Sequence, residues 1–161
     1  MKQIVFVGKH DLSDAPFAAF FFEQLLREQG LSQCCLVTSR SGRSGYTGSP
    51  VNPSVRQALS ALGIDCADKR SEPLTKEDFS DALLVCTSAE AMRAVFFHFP
   101  EASAPIHLLT SYLAFSEGAQ ASFENPQFNT IASACRGLLF RLLRQGFFDT
   151  IHKEENHDAA C

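Results

Sequence analysis

The sequence lacks tryptophan and has only 2 tyrosines and 2 methionines, so its aromatic content rests on 15 phenylalanines among 161 residues. It also lacks an excess of positive charge: 14 lysines and arginines stand against 18 aspartates and glutamates, for a net charge of −4. A nucleic-acid or anionic-membrane ligand calls for a basic patch. We therefore expect neither nucleic acid nor a membrane as a partner.

Long hydrophobic runs are missing as well. No stretch approaches the roughly 20 apolar residues of a membrane-spanning helix, and the first residues lack the basic, apolar and small-residue pattern of a signal peptide. We expect a cytoplasmic protein.

No CxxC pair occurs among the 6 cysteines, and the sequence has no cluster with the spacing of metal ligands. The cysteines lie in apolar stretches, where a thiol behaves as a small hydrophobic side chain. We expect no metal and no other cofactor. The chain is long enough for one buried domain, expected at residues 1–150, and the charged residues 151–161 are expected to form a flexible tail.

Strand-like and helix-like segments alternate along the chain, which predicts an α/β fold with a doubly wound parallel sheet. The predicted strands are Ile4–Val7, Cys34–Thr38, Ala82–Cys86 and Ile106–Leu109. The predicted helices are Ala15–Glu28, Ser54–Leu62, Ala89–Phe97 and Phe128–Arg144, with a loop over Ser111–Pro126. In such sheets the ligand crevice lies beyond the carboxyl ends of the strands, where the loop Gly8–Asp14 is expected.

Five segments in order, VFVGKHDLSDAPFA, SGYTGSPVNP, ALGID followed by LTKEDF, DALLVCTS and ACRGLL, resemble the low-molecular-weight protein tyrosine phosphatases over nearly the whole chain. The resemblance implies a four-stranded parallel sheet in the order 2-1-3-4 with flanking helices. It also implies that Gly8, Lys9, His10, Asp11, Leu12, Ser13 and Asp14 form a degenerate phosphate loop. The rim of the crevice would then include Tyr46, Asn125 and Phe128.

The reactive residues of that family are replaced in this chain. Gly8 stands where the family has its nucleophilic cysteine, and Asp14 where it has its phosphate-binding arginine. Asn125 stands where the family has its general-acid aspartate, and Ala15 replaces a serine. Without a thiolate no covalent phospho-enzyme can form. Without the general acid, the rate of leaving-group departure falls by a further factor of roughly 100 to 10,000. We expect no catalytic residues and a pseudophosphatase that acts as a binding or regulatory protein.

The two carboxylates of the loop, Asp11 and Asp14, are expected to repel phosphate, so we expect no phosphate binding. Asp14 is also a candidate helix cap whose carboxylate would occupy the N–H groups that otherwise hold phosphate. The alternative is a residual or altered hydrolase with an unrecognised nucleophile in the same loop. Ser13 would need a neighbouring base for that role, and His10 would be a candidate general base.

Phenylalanines in the first predicted helix are spaced so that not all can face one core. Phe17 and Phe20 lie near the start of this helix, and clustered exposed aromatic residues are typical of partner surfaces. We expect these two residues to be part of a surface for a protein partner or for self-association.

Overall fold

The computed structural model describes residues 2–116 and 123–149. Its strands are β1 (Gln3–Gly8), β2 (Leu36–Ser41), β3 (Ala82–Cys86) and β4 (Ile106–Leu108). Its α-helices are α1 (Asp14–Glu28), α2 (Pro53–Ser60), α3 (Ala89–His98) and α4 (Pro126–Arg144), and two 3₁₀ helices span Lys76–Phe79 and Leu109–Phe115.

The four strands pair in parallel in the order β2-β1-β3-β4, which confirms the predicted sheet. β1 lies in the centre, with Gln3 opposite Leu36 of β2 and Ala82 of β3. Because all four strands run the same way, their carboxyl ends meet at one edge of the sheet. The strand order reverses there between β1 and β3.

The sheet is covered on both faces, as continuous apolar strands require. Ile4 and Phe6 of β1 point into the larger core, which is formed with α1, α2 and α4. Val5 and Val7 point the other way, into a smaller core formed with α3. The alternation along β1 therefore fixes which helix covers which face.

Helix α4 lies directly against the 3₁₀ helix Leu109–Phe115. An added Cβ atom at Gly137 would overlap the backbone carbonyl of Tyr112. Glycine at this position allows the close approach, because any side chain would push the two helices apart.

Three predicted segments need correction. β2 begins at Leu36 rather than Cys34, since Cys34 and Cys35 occupy the preceding turn, although both are buried. Part of the predicted loop Ser111–Pro126 belongs to the second 3₁₀ helix. The helix predicted over Ser54–Leu62 begins at Pro53 and ends at Ser60. The tail at 151–161 lies outside the described residues.

Among the described residues, no helix combines the length and the hydrophobicity that crossing a membrane requires.

Candidate functional site

A cavity of about 580 Å³ lies at the carboxyl end of the sheet, where β1 and β3 separate. One wall is the segment Gly8–Asp14, called the site loop below, which connects β1 to α1. The opposite wall is the start of α3, from Thr87 to Glu90, together with Arg93. The cavity is therefore in the crevice that the parallel sheet predicts.

The carbonyl groups of the site loop are held by donors from neighbouring segments. These bonds are Gly42 N–H to Gly8 (2.8 Å), Arg43 N–H and Ser41 Oγ to Lys9 (3.2 and 3.0 Å), Ser71 Oγ to His10 (2.6 Å) and Asn52 N–H to Leu12 (2.9 Å). So many external bonds fix the backbone conformation of the loop before any ligand arrives.

Most backbone N–H groups of the site loop, unlike its carbonyl groups, have no hydrogen-bond partner in the described part of the protein. Within the described residues, no backbone N–H from Lys9 to Ala15 donates to a protein acceptor. A run of amides without acceptors beside a helix start forms an anion-binding concavity. We call these groups the loop amides; they are donors without a protein acceptor, among the described residues, in a segment that lines the cavity.

Asp11 is buried behind the loop. Its side chain has no exposed surface, and its Oδ2 lies 3.0 Å from Lys69 Nζ and accepts from the Glu72 N–H at 3.0 Å. Burial raises the pKa of the Asp11 carboxyl, and the Lys69 cation opposes that shift. The backbone of Asp11 has a φ of 55°, which turns the loop toward this partner. The prediction that Asp11 and Asp14 together confront a ligand is therefore wrong for Asp11.

Asp14 is the first residue of α1 and borders the cavity. Its half-buried carboxylate accepts from Gln127 Nε2 at 2.6 Å. Burial raises the pKa of the Asp14 carboxyl, while Gln127 and the Ser13 hydroxyl oppose that shift. The helix cap is Ser13, which forms no side-chain cap bond. The prediction that Asp14 caps α1 and fills the loop amides is wrong, because its carboxylate is bonded to α4 instead.

Gly8 ends β1 at the floor of the cavity and is buried. A Cβ atom at this position would lie 2.9 Å from Ala15 Cβ, closer than side chains pack. On the other side of the site, Asn125 caps α4, and its Oδ1 accepts from the Gln127 N–H at 2.9 Å. Gly8 has no side chain and Asn125 has no ionisable group, so neither residue can supply a nucleophile or a general acid.

None of the three predicted rim residues, Tyr46, Asn125 and Phe128, is among the residues that line the cavity. Tyr46 is 51% exposed and its ring meets the edge of His10 in the loop, with centroids 4.7 Å apart. Phe128 is wrong as a rim residue, since it is 3% exposed and stacks on Phe17 at 4.5 Å. Phe17 is fully buried and Phe20 is half-buried, so the predicted partner surface is wrong for Phe17.

Charged residues that the sequence analysis missed line the opposite wall. Lys9 pairs with Glu90 at 3.1 Å, and the hydrogen bond from Lys9 lowers the pKa of the Glu90 carboxyl, with a smaller contribution from Arg93. Their position could have been inferred, because Glu90 and Arg93 follow the carboxyl end of β3 next to β1. Nothing in the sequence pattern indicated that Lys69 would pair with Asp11.

The described cysteines are buried and form no disulfide bond with one another. Burial raises the pKa of Cys35 and of Cys86 to about 12, so neither thiol is activated as a nucleophile. Among residues 2–116 and 123–149, no group of three histidine, cysteine, aspartate or glutamate side chains is arranged to hold a metal ion.

The sequence and the fold match known proteins. The model of the family described as low molecular weight phosphotyrosine protein phosphatase matches residues 3–156. A search of curated proteins gives no match.

Three solved structures illustrate the similarity of the fold. YfkJ from Bacillus subtilis has a TM-score of 0.77 at 19% identity, covering 90% of this chain and 96% of its own. A protein tyrosine phosphatase from Entamoeba histolytica with Hepes in its active site has a TM-score of 0.74 at 16% identity, covering 91% and 99%. The Drosophila arginine phosphatase DARP has a TM-score of 0.69 at 20% identity, covering 86% and 96%.

Proposed function

The chain belongs to the low molecular weight phosphotyrosine protein phosphatase family, and from this premise we propose that it is a member without phosphatase activity, which binds a ligand in the crevice. The observation that supports this best is Gly8, which ends β1 where the resemblance expects the nucleophile and where Ala15 leaves no room for a larger side chain. A glycine cannot form the covalent phospho-enzyme.

The charges of the cavity support the same proposal. Phosphoryl transfer needs a cation that stabilises the charge on the transferred group, and Asp14 brings a negative charge to the place of the arginine. Asn125 cannot donate a proton to the leaving group. Phosphate binding at neutral pH is therefore disfavoured, despite the free loop amides.

Binding without turnover suits a regulatory protein that acts on another polypeptide or on a second copy of itself. Two exposed phenylalanines on α3, Phe96 at 53% and Phe97 at 80%, form an apolar surface near the cavity wall. Large exposed aromatic residues are typical of partner surfaces. They replace Phe17 as the aromatic residues available to a partner.

The alternative function is a residual hydrolase that uses Ser13. The observation in its favour is that Ser13 and Asp14 are adjacent and both line the cavity, so the Asp14 carboxylate would be the base. Against it, Asp14 is held by Gln127, and of the cations that line the cavity Lys9 is paired with Glu90 and Arg93 lies on the opposite wall.

The test is the hydrolysis of p-nitrophenyl phosphate by purified wild-type protein, beside Ser13→Ala and Asp14→Ala variants. We expect none of the three proteins to hydrolyse the substrate faster than buffer without protein. Wild-type turnover that disappears in the Ser13→Ala variant would establish the alternative. Turnover that survives in both variants would point to another nucleophile and would equally reject the proposal.

A further inference from the structure

We propose that the crevice binds a carboxylate group that has a cation beside it, as in an amino acid or in a basic residue at the carboxyl terminus of a polypeptide. This inference rests on the proposed function, because it names the ligand class of the same cavity. The loop amides would hold the carboxylate, and Asp14 would pair with the cation.

The anionic half of this ligand fits the backbone of the site. The loop amides have no acceptor within the described residues, and the carbonyls of the loop are tied back to other segments. Two helices, α1 with 15 residues and α3 with 10, begin at the same cavity. The positive ends of their dipoles favour an anion between them. Capture of a terminal carboxylate by such amides is a known mode of peptide recognition.

The cationic half fits the residue that replaces the arginine. Asp14 borders the cavity and receives one hydrogen bond from α4, through Gln127. A carboxylate has about four lone-pair positions, so acceptor sites remain for an ammonium or a guanidinium. Asp11 does not compete for the cation, because Lys69 already neutralises it behind the loop.

The same arrangement disfavours a phosphate dianion. A dianion would gain the loop amides but would face the Asp14 carboxylate. Of the cations that line the cavity, Lys9 is paired with Glu90, and Arg93 lies on the opposite wall. A carboxylate brings one negative charge, and a cation on the same molecule converts the repulsion at Asp14 into attraction. The charge reversal at this position thus changes the class of ligand.

Calorimetric titration of the full-length wild-type protein at pH 7 and low salt tests the inference. L-alanine represents a free amino acid, and N-acetyl-L-arginine represents a basic terminal residue whose α-amine is blocked. The controls are N-acetyl-L-alanine, which has the carboxylate alone, L-argininamide, which has cations alone, and inorganic phosphate. We expect one or both of the first two probes to bind at least about tenfold more tightly than every control.

The variant Asp14→Asn keeps the size of the side chain and removes the charge. We expect it to lose about tenfold in affinity for the preferred probe and to gain affinity for phosphate. The matched control is Asp68→Asn, the same change at an exposed carboxylate that does not line the cavity, and we expect a change below about threefold.

The possible outcomes distinguish a free amino acid from a polypeptide terminus, and failure of this inference from failure of the proposed function. Binding of L-alanine alone identifies a small amino acid, and binding of N-acetyl-L-arginine alone identifies a polypeptide terminus; either supports the inference. Equal binding of N-acetyl-L-alanine, tighter binding of phosphate, or no binding of either zwitterionic probe would overturn it on the wild-type protein, whether or not the variant folds. Phosphoester turnover would instead reject the proposed function.

Discussion

Two aspartates of the site loop, Asp11 and Asp14, are close in sequence but belong to different regions of the molecule. Asp11 is buried behind the loop and paired with Lys69, whereas Asp14 lies in front, at the cavity, bonded to Gln127. The back of the loop is part of the scaffold, and the front borders the site. One residue type thus belongs to the scaffold in one region and, as we propose, selects the ligand in the other, depending on burial and partners.

Breaking the pair behind the loop should have the largest effect on stability. The variant Asp11→Ala leaves Lys69, whose side chain is 12% exposed, without its closest counter-charge, and leaves the Glu72 N–H without an acceptor. We expect a loss of about 3 kcal/mol in the free energy of unfolding, measured by urea denaturation.

The matched control is Glu72→Gln, which alters an exposed carboxylate in the same network at 3.9 Å from Lys69 Nζ. We expect a loss below about 1 kcal/mol. Equal losses in the two variants would remove the distinction between the buried and exposed members of this network.

The pH dependence of stability offers a second way to sharpen the comparison. Burial raises the folded-state pKa of Asp11 above its ordinary value of 3.8, so the folded state binds more protons than the unfolded state between those two values. Stability from this group is full below the ordinary pKa and declines as the pH rises through the raised one. The decline is at most about 1.4 kcal/mol for each pH unit between the two pKa values.

The measurement compares urea midpoints of the wild-type protein and of an Asp11→Asn variant at several values between pH 4 and pH 7. We expect the wild-type protein to lose stability relative to the variant as the pH rises, since asparagine does not titrate. A difference that stays constant, or one of the opposite sign, would contradict the account of Asp11. The nearby His10 is present in both proteins and does not distinguish them.

Changes at the front of the loop should affect stability least. Asp14 is half-buried, and Asn in its place can still accept a hydrogen bond from Gln127. We expect Asp14→Asn to change the free energy of unfolding by less than about 1 kcal/mol in thermal or urea denaturation. A loss as large as that of Asp11→Ala would show that Asp14 belongs to the scaffold after all.

The fold could be predicted from the sequence to a large extent. The sheet was predicted from the apolar runs of β1 and β3 and from the order of the segments that resemble the family. The structure has its strands in the predicted order. The predicted start of β2 was wrong because Cys34 and Cys35 are as apolar as the residues of a buried strand. The end was missed because Ser39 and Ser41 are polar yet buried. Pairing with β1 fixes this strand, and such long-range pairing is absent from the local pattern.

The site was predictable in its place but not in its contacts. The position of the loop followed from the strand–loop–helix order, while the direction of each carboxylate depends on Lys69 and Gln127, which are distant in sequence. No local pattern indicates either partner. Periodicity also failed for Phe17, because α4 adds a second apolar surface that covers this face of α1.

Restoring the missing groups tests the proposed lack of phosphatase activity most directly. The variant combines Gly8→Cys, Asp14→Arg and Asn125→Asp with Ala15→Gly, which relieves the 2.9 Å approach at residue 8. Aspartate at 125 can still cap α4. The initial rate of p-nitrophenyl phosphate hydrolysis should stay at the buffer rate for the wild-type protein and rise well above it for the restored variant. Hydrolysis by the wild-type protein at or above the rate of the restored variant would contradict the account.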